Sequence, residues 1–232
     1  MPSEGNDMEG LERLFTVFNI EPHDVSLYEQ AFTHASYHNE HPAEMDYDRL
    51  EYLGDSILDM TVADLLFHEY PECNSGVLSK MRSALVSGTS LTRFSEDVYG
   101  FSSLVRYSKG EKDNTRFHKH IDEDVFESFI GAVYLDQGYL KVREVIDQIF
   151  SPYLKEAYVK INEMDSKGRL QELVKDNIEY VKISESNVNT DDVSYVVEAR
   201  YAGQVLGVGK GHNIKEAQNR AALDALSKKV GN

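Results

Sequence analysis

Tryptophan is absent from this chain of 232 residues, and cysteine occurs once, as Cys73. A lone cysteine excludes an internal disulfide framework and any all-cysteine zinc site, and it is what a reducing compartment permits. Proline is sparse at 5 residues and glycine is limited to 15, so neither collagen-like nor Pro/Gly-rich disordered chains are in question. No run approaches the roughly 18 apolar residues that span a bilayer. The opening residues MPSEGNDMEG have neither the basic start nor the apolar stretch of a secretory signal. The expectation is a soluble, cytoplasmic protein without a membrane partner.

Positive charge is the other scarcity. Against 40 Asp+Glu stand only 24 Lys+Arg, a net charge of −16. A chain so acidic repels phosphodiester backbones, which by itself argues against nucleic acid. The deficit is uneven, however. From Glu163 onward there are 10 basic and 11 acidic residues, which leaves 14 and 29 for the preceding 162. The net charge therefore divides as −15 and −1, and the stretch from Arg200 to Asn232, with 6 basic and 2 acidic residues, carries +4. Such asymmetry, in a length that suits one large domain or two unequal ones, points to two modules with different electrostatic tasks.

What is plentiful is helical periodicity. Between Asp48 and His68, apolar Leu50, Leu53, Ile57, Leu58, Val62, Leu65 and Leu66 fall on one face, and Pro71 follows. Glu123 to Asp136 repeats the pattern with Val125, Phe126, Phe129, Ile130, Val133 and Tyr134, and Gly138 stands as its stop. Shorter helices are expected at Gly10 to Phe18, Ser26 to Phe32, Ser79 to Val86, Ser90 to Val98 and Leu140 to Val159, the last interrupted at Pro152. The polar run from Tyr107 to His120 reads as an exposed loop. After Met164 the pattern changes to a short helix from Lys167 to Asp176, alternating segments at Tyr180 to Glu185, Ser194 to Tyr201 and Gln204 to Gly209, and a helix from Ile214 to Leu226. The expected division is an all-α domain over 8–156, a linker over 157–164 and a small α-β-β-β-α domain over 165–230.

The first long helix sets Asp48, Glu51 and Asp55 three and four residues apart, on one face. Like charges so spaced destabilise an isolated helix by roughly 0.2–0.5 kcal/mol per pair unless a cation sits between them. The second helix carries Asp124 and Glu127, with Asp122 and Glu123 just ahead. One reading is electrostatic housekeeping, acids near helix N-termini that complement the macrodipole and face water. The other is an oxygen-rich site for Mg²⁺ formed where two acidic faces meet. Asp55 lies well inside its helix beside Gly54, a residue that costs about 1 kcal/mol there and marks close approach of another backbone. The histidines, including His34, His38, His41, His68, His118 and His120, show no metalloprotease spacing, and solvated or core roles suit them.

These segments also carry a resemblance. The run from Asp48 to Ser56, DRLEYLGDS, resembles the signature helix of the ribonuclease III family, usually written ERLEFLGD, and Asp124 to Ala132, DVFESFIGA, followed by Tyr134-Leu135-Asp136, resembles its second acidic motif. Ala31 to Tyr37, Leu78 to Arg82 and Lys109-Gly110-Glu111 agree in order and distance. The resemblance implies an all-α ribonuclease III endonuclease domain in which Glu51, Asp55, Asp124 and Glu127 hold Mg²⁺, with Mn²⁺ as a substitute. Asp55 and Glu127 would be central to hydrolysis of double-stranded RNA, giving 5′-phosphate products with short 3′ overhangs. Asp48 stands where the family has Glu, one methylene longer, and is implied as an auxiliary acid. Ser75 stands where bacterial members commonly have a further Glu. The family forms a homodimer through the signature helix, for which Tyr52 and Leu53 are candidate contacts, with monomer core as their alternative role.

The last 65 or so residues resemble a double-stranded RNA-binding domain of α+β type, through Leu170-Gln171-Glu172, the run Gly207 to Asn213, Lys215-Glu216-Ala217 and Arg220-Ala221-Ala222. Such domains read A-form shape through 2′-OH and phosphate contacts. Gln171, Lys210, His212, Asn213 and Lys215 are the implied RNA-binding residues, Asn213 also capping the last helix. Gly207 and Gly209 taken alone read equally as a strand-to-helix turn. The loop Ser186 to Asp192 lacks the family's Gly-Pro and His and adds two acids, and Ile214 replaces a frequent Lys. The expected function is a Mg²⁺-dependent, double-stranded-RNA-specific endoribonuclease, for RNA processing or, in a viral setting, for destroying small interfering RNA. The alternatives are a non-cleaving RNA-binding relative and a metal-buffering helical protein.

Overall fold

The computed structural model describes residues 4–110, 120–186 and 194–230. Glu111, His118 and most of the expected 107–120 loop lie outside the described residues, as does the 186–192 loop apart from Ser186. Backbone contacts divide the chain into Met1–Leu154 and Lys155–Asn232. No described helix is long and apolar enough to cross a membrane.

In the first unit the helices are α1 (Glu4–Val17), α2 (Val25–Ala31), α3 (Ala35–Glu40), α4 (Asp48–Glu69), α5 (Ser75–Leu85), α6 (Gly88–Arg93), α7 (Ile121–Gln137) and the start of α8 (Tyr139–Val174). A π-helical turn, Phe94–Tyr99, and a 3₁₀ turn, Phe101–Leu104, follow α6. The starts follow local chemistry. Asp24, Asn74 and Ser87 precede α2, α5 and α6, and each accepts a hydrogen bond from the first-turn amide of Ser26, Val77 or Ser90. At the end of α7, Gly138 takes φ +80°, which a side chain would resist.

α7 is the hub. Its Phe126 and Phe129 are fully buried and pack with Phe32 and Phe101, the Phe101–Phe129 centroids being 5.0 Å apart. Truncating one such ring costs about 3–5 kcal/mol. That exceeds the few tenths by which each surface acid pair resists, so core packing decides where the acidic helices lie. Asp136 anchors the other end of α7. Its carboxylate accepts from the amides of His23 and Asp24 and from the Tyr28 hydroxyl, joining α7 to the start of α2. Burial pushes this carboxyl up, but the bonds from Gln137, Tyr28, Asp24 and His23 outweigh burial and hold it below its ordinary range.

Two expectations about α8 are corrected. Pro152 does not interrupt it, and residues 157–164 are helix. Pro152 is solvent-exposed while Ile149, Phe150 and Leu154 around it are buried, so packing outweighs one missing backbone bond. Ala157 and Ile161 keep the four-residue apolar spacing and are buried.

The second unit holds the rest of α8, strands β1 (Glu179–Ser186), β2 (Ser194–Tyr201) and β3 (Gln204–Gly211), and α9 (Ile214–Val230). The strands form an antiparallel sheet in the order β1-β2-β3. Ala202 and Gly203 join β2 to β3 as a two-residue turn with φ of 49° and 78°, the twist a tight hairpin favours. Leu170, Ile178, Ala199, Ala221, Ala222, Ala225 and Leu226 make the core. Gly207, Gly209 and Gly211 do not form the strand-to-helix turn. They lie along β3 against α9, where a Cβ would come within 2.2 to 2.6 Å of backbone atoms of Ala217, Ala221 and Ala225.

Candidate active site

The acids on α4 and α7 meet because glycines let the two helices touch. A Cβ on Gly54 would lie 1.8 Å from the Glu127 carbonyl oxygen, and one on Gly131 would lie 2.4 Å from that of Leu50. The backbone approach anticipated at Gly54 is therefore present, and it sets Glu127 directly opposite the turn that bears Glu51 and Asp55. Along α4, Asp48 and Asp55 are exposed and Glu51 is half-buried, whereas Asp124 and Glu127 on α7 are both half-buried.

The electrostatics record this proximity. Burial, with Asp124, Asp48, Asp55 and Glu123 nearby, pushes the Glu51 carboxyl up to about 7. Burial and then Asp55, Glu123, Glu51 and Asp124 push Glu127 up to about 8. Asp124 is raised by burial and Glu123, against lowering by the Tyr47 hydroxyl and His120. Asp48 is raised by burial and Asp46, with His34 opposing. No Lys or Arg contributes to any of these four groups among the described residues.

An all-oxygen array without a counter-charge suits a hard divalent cation. Among the described residues no three acidic, His or Cys side chains converge into a finished metal cage. Mg²⁺ does not require one, since it keeps several waters and takes one or two carboxylates directly. The donors present thus fit Mg²⁺, and Glu51, Asp55, Asp124 and Glu127 are the residues that would hold it.

Of the neighbouring acids, Glu123 adds to the charge that raises Glu51, Asp124 and Glu127, whereas Asp122 lies apart. Asp122 is buried, accepts from the Ser102 hydroxyl and belongs to the packing beneath α7. Glu123 pairs with His120 at 3.7 Å. Tyr47, which the periodicity did not mark, is buried with its hydroxyl 3.4 Å from Asp124 Oδ2. Its signal was available: it stands at an N-cap position that normally takes Ser, Thr, Asp or Asn. Arg106 was missed as well. It donates to Glu44, to the Glu29 carbonyl and to Thr33, bracing the segment that leads into α4.

Tyr52 is 80% exposed, which removes the monomer-core alternative for it, while Leu53 is half-buried. In the second unit Gln171, Lys210, His212, Asn213 and Lys215 are all exposed. Gln171 lines an open hollow with Glu172, Lys175 and Asp176. Asn213 Oδ1 accepts from the Glu216 amide, and Glu216 accepts in return from the His212 amide, a reciprocal cap that starts α9.

Known proteins share both units. Residues 24–154 match the family described as ribonuclease-III-like, and residues 166–229 match the double-stranded RNA binding motif. Ribonuclease 3 of Listeria monocytogenes serotype 4a is 42% identical over 211 residues, covering 88% of this chain and 91% of its own. Ribonuclease 3 of Lactobacillus acidophilus is 39% identical over 225 residues, covering 94% and 96%. The crystal structure of the nuclease domain of Campylobacter jejuni ribonuclease III aligns with a TM-score of 0.54 at 29% identity, over 61% of this chain and 95% of that domain. A second structure of that domain, concerned with flexibility in a region involved in dimer formation, aligns with a TM-score of 0.53. With its acids gathered at the α4–α7 crossing and a double-stranded RNA binding motif over residues 166–229, this chain is an endoribonuclease that belongs to the ribonuclease III family.

Proposed function

We propose that the protein hydrolyses both strands of duplex RNA in a Mg²⁺-dependent reaction, as a homodimer, leaving 5′-phosphates and short 3′ overhangs. The observation that carries this reading is the glycine-mediated crossing of α4 and α7, which gathers Glu51, Asp55, Asp124 and Glu127, with no Lys or Arg among the described residues offsetting Glu51, Asp124 or Glu127. The bound cation would supply a nucleophile from water near neutral pH and neutralise charge at the leaving 3′-oxygen. The chain's own part is to hold the carboxylates at fixed spacing and keep them ionised only at the cost of mutual repulsion, which makes the array receptive to a cation. Asp48, exposed at the start of α4, acts as the auxiliary acid.

Support for a dimer comes from the outer face of α4. Tyr52, Met60 and Phe67, spaced eight and seven residues apart, are 80%, 52% and 64% exposed. A stripe of this kind suits a second copy. Gln171, Lys210, His212, Asn213 and Lys215 form the face offered to RNA, the N-terminus of α9 contributing amide dipoles toward phosphate. The named relatives are bacterial, which favours RNA processing as the role.

The test is incubation of the full chain with long duplex RNA and Mg²⁺, beside Glu127→Ala. Cleavage is expected from the first and a loss of at least about a hundredfold from the second, with gel-shift affinity retained. Uncut duplex in the first reaction would establish the non-cleaving alternative, and equal cutting by both would remove Glu127 from the site. Sizing products from long and from short duplexes separates processing from destruction of small interfering RNA.

A further inference from the structure

Tyr47 occupies the N-cap of α4, where its carbonyl accepts from the amides of Leu50 and Glu51 at 2.8 and 2.9 Å. Its side chain makes no capping bond, and its backbone is already helical, with φ −82° and ψ −13°. Ser, Thr, Asp or Asn is the usual residue at the start of a helix. The chain forgoes that, and the ring turns inward instead. It is 3% exposed, tilted against His34 with centroids 5.9 Å apart, and its hydroxyl is directed at Asp124 Oδ2 across the α4–α7 interface.

The ring is held from behind. The Tyr47 amide donates to the Thr33 carbonyl at 2.9 Å, and Gln30 Nε2 donates to the carbonyl of the preceding Asp46 at 2.9 Å. Thr33 is fully buried, and Arg106 bonds both its hydroxyl and the Glu29 carbonyl. The donor at Asp124 is thus held by α2 and by the Thr33–Arg106 contact as well as by the first turn of α4.

We infer that Tyr47 is a positioning residue for the metal site, its hydroxyl setting the rotation of the Asp124 carboxylate so that a divalent cation meets an oriented ligand. This rests on the metal-site reading above. The residue type follows from the task. A Lys or Arg would itself compensate the acids and compete with the cation, whereas a neutral hydroxyl directs a lone pair without doing so. The short side chains that cap helices would satisfy α4 but would not span the interface. At 3.4 Å the bond is long, so its effect is placed at the lower end of the 10–100-fold range typical of groups that orient metal ligands.

The test compares wild type with Tyr47→Phe, which keeps the ring packing. Two readouts are taken: the Mg²⁺ dependence of duplex RNA cleavage, and the rise in Tm with Mg²⁺ in the absence of RNA, which reports binding by linkage. Tyr47→Phe is expected to need about tenfold more Mg²⁺ in both, with kcat at saturating Mg²⁺ within about twofold and metal-free Tm nearly unchanged. Unchanged Mg²⁺ dependence together with a lowered metal-free Tm would make Tyr47 a packing residue and overturn the inference. A lowered kcat with unchanged Mg²⁺ dependence would overturn it too. A wild-type protein indifferent to Mg²⁺ in both readouts would overturn the metal-site reading itself, and this inference with it.

Discussion

Both units bring two elements into backbone contact through glycine, yet the contacts serve opposite electrical ends. In the first, Gly54 and Gly131 let α4 and α7 touch, and the price is a group of carboxylates pressed together until Glu51 and Glu127 titrate near 7 and 8. In the second, Gly207, Gly209 and Gly211 seat β3 on the backbone of Ala217, Ala221 and Ala225, with the Glu216 methylenes beside Gly211. One contact accumulates repulsion that only core packing and a cation offset. The other is close backbone packing, beside which Asp224 accepts from the Val208 amide and Arg220 donates to the Lys210 carbonyl.

The sharpest way to break this comparison is to add one methyl group to each contact. Gly54→Ala places a Cβ 1.8 Å from the Glu127 carbonyl oxygen, a backbone atom that cannot swing aside. Overpacking of this kind costs roughly 1–3 kcal/mol or more. Because relief requires α4 and α7 to separate, cleavage is expected to fall by at least about a hundredfold while metal-free gel-shift affinity for duplex RNA stays within about threefold. Gly209→Ala meets Ala217 and Ala221 backbone at 2.2 Å and should do the reverse, weakening RNA affinity about tenfold or more with less effect on cleavage at saturating RNA. If both variants lose binding and cleavage in equal proportion, the two contacts are not functionally separate.

Much of this was legible beforehand, because it depends on local rules. Apolar spacing located α4 and α7 to within a residue or two, and Gly54 in mid-helix, a position costly enough to need a reason, announced the touching backbone. Alternation located all three strands. What was illegible depends on tertiary context. α3, ASYHNE, has no fully buried residue and hence no apolar stripe to detect. Pro152 breaks a helix in isolation but not one pinned by Ile149, Phe150 and Leu154. Gly207 and Gly209 have a turn-like composition, and only the presence of α9 beneath β3 explains them. Tyr47 belongs to no periodic pattern, and although its N-cap position marked it as unusual, its partner Asp124 lies 77 residues away and is brought to it only by the fold.

The comparison also predicts where pH sensitivity resides. Glu51 and Glu127 titrate above their ordinary carboxylate range, so between about pH 4.5 and 8 the folded state binds more protons than the unfolded one. Stability contributed by these groups is therefore greatest below the unfolded value and is lost as pH rises through 7 and 8. Among the described residues the displaced carboxylates of the second unit, Glu185 and Asp224, move downward instead, chiefly through Lys182 and, for Asp224 against its own burial, through Lys228 and the Val208 amide. Metal-free protein should consequently melt at a lower temperature at pH 8 than at pH 5.5. The gap should narrow in Glu51→Gln/Glu127→Gln and on adding Mg²⁺ to wild type. A metal-free Tm that is level or rises over that interval would remove strain from the account of the acidic site.

The smallest expected effect tests the basic side of the comparison, and it revises the charge count from which electrostatic asymmetry was first read. The +4 of residues 200–232 overstates what RNA would meet. Arg200 is paired with Glu198, Lys228 with Asp224, and Arg220 with both Glu163 and Glu216. Lys210 and Lys215 are exposed and have no ion pair among the described residues. A phosphate contact by Arg220 would first have to break bonds of 2.6 and 2.7 Å to carboxylates, so its release of counterions is offset by the partners it abandons. Lys215→Ala should therefore lower the salt slope of duplex RNA binding by about one, with a modest loss of affinity. Arg220→Gln should leave that slope nearly unchanged and instead lower Tm, because it removes the tie from α9 to Glu163 and to the Lys210 carbonyl. Equal slopes for the two variants would mean that the pairs seen on this surface open freely in the complex, and that the simple charge count was the better guide.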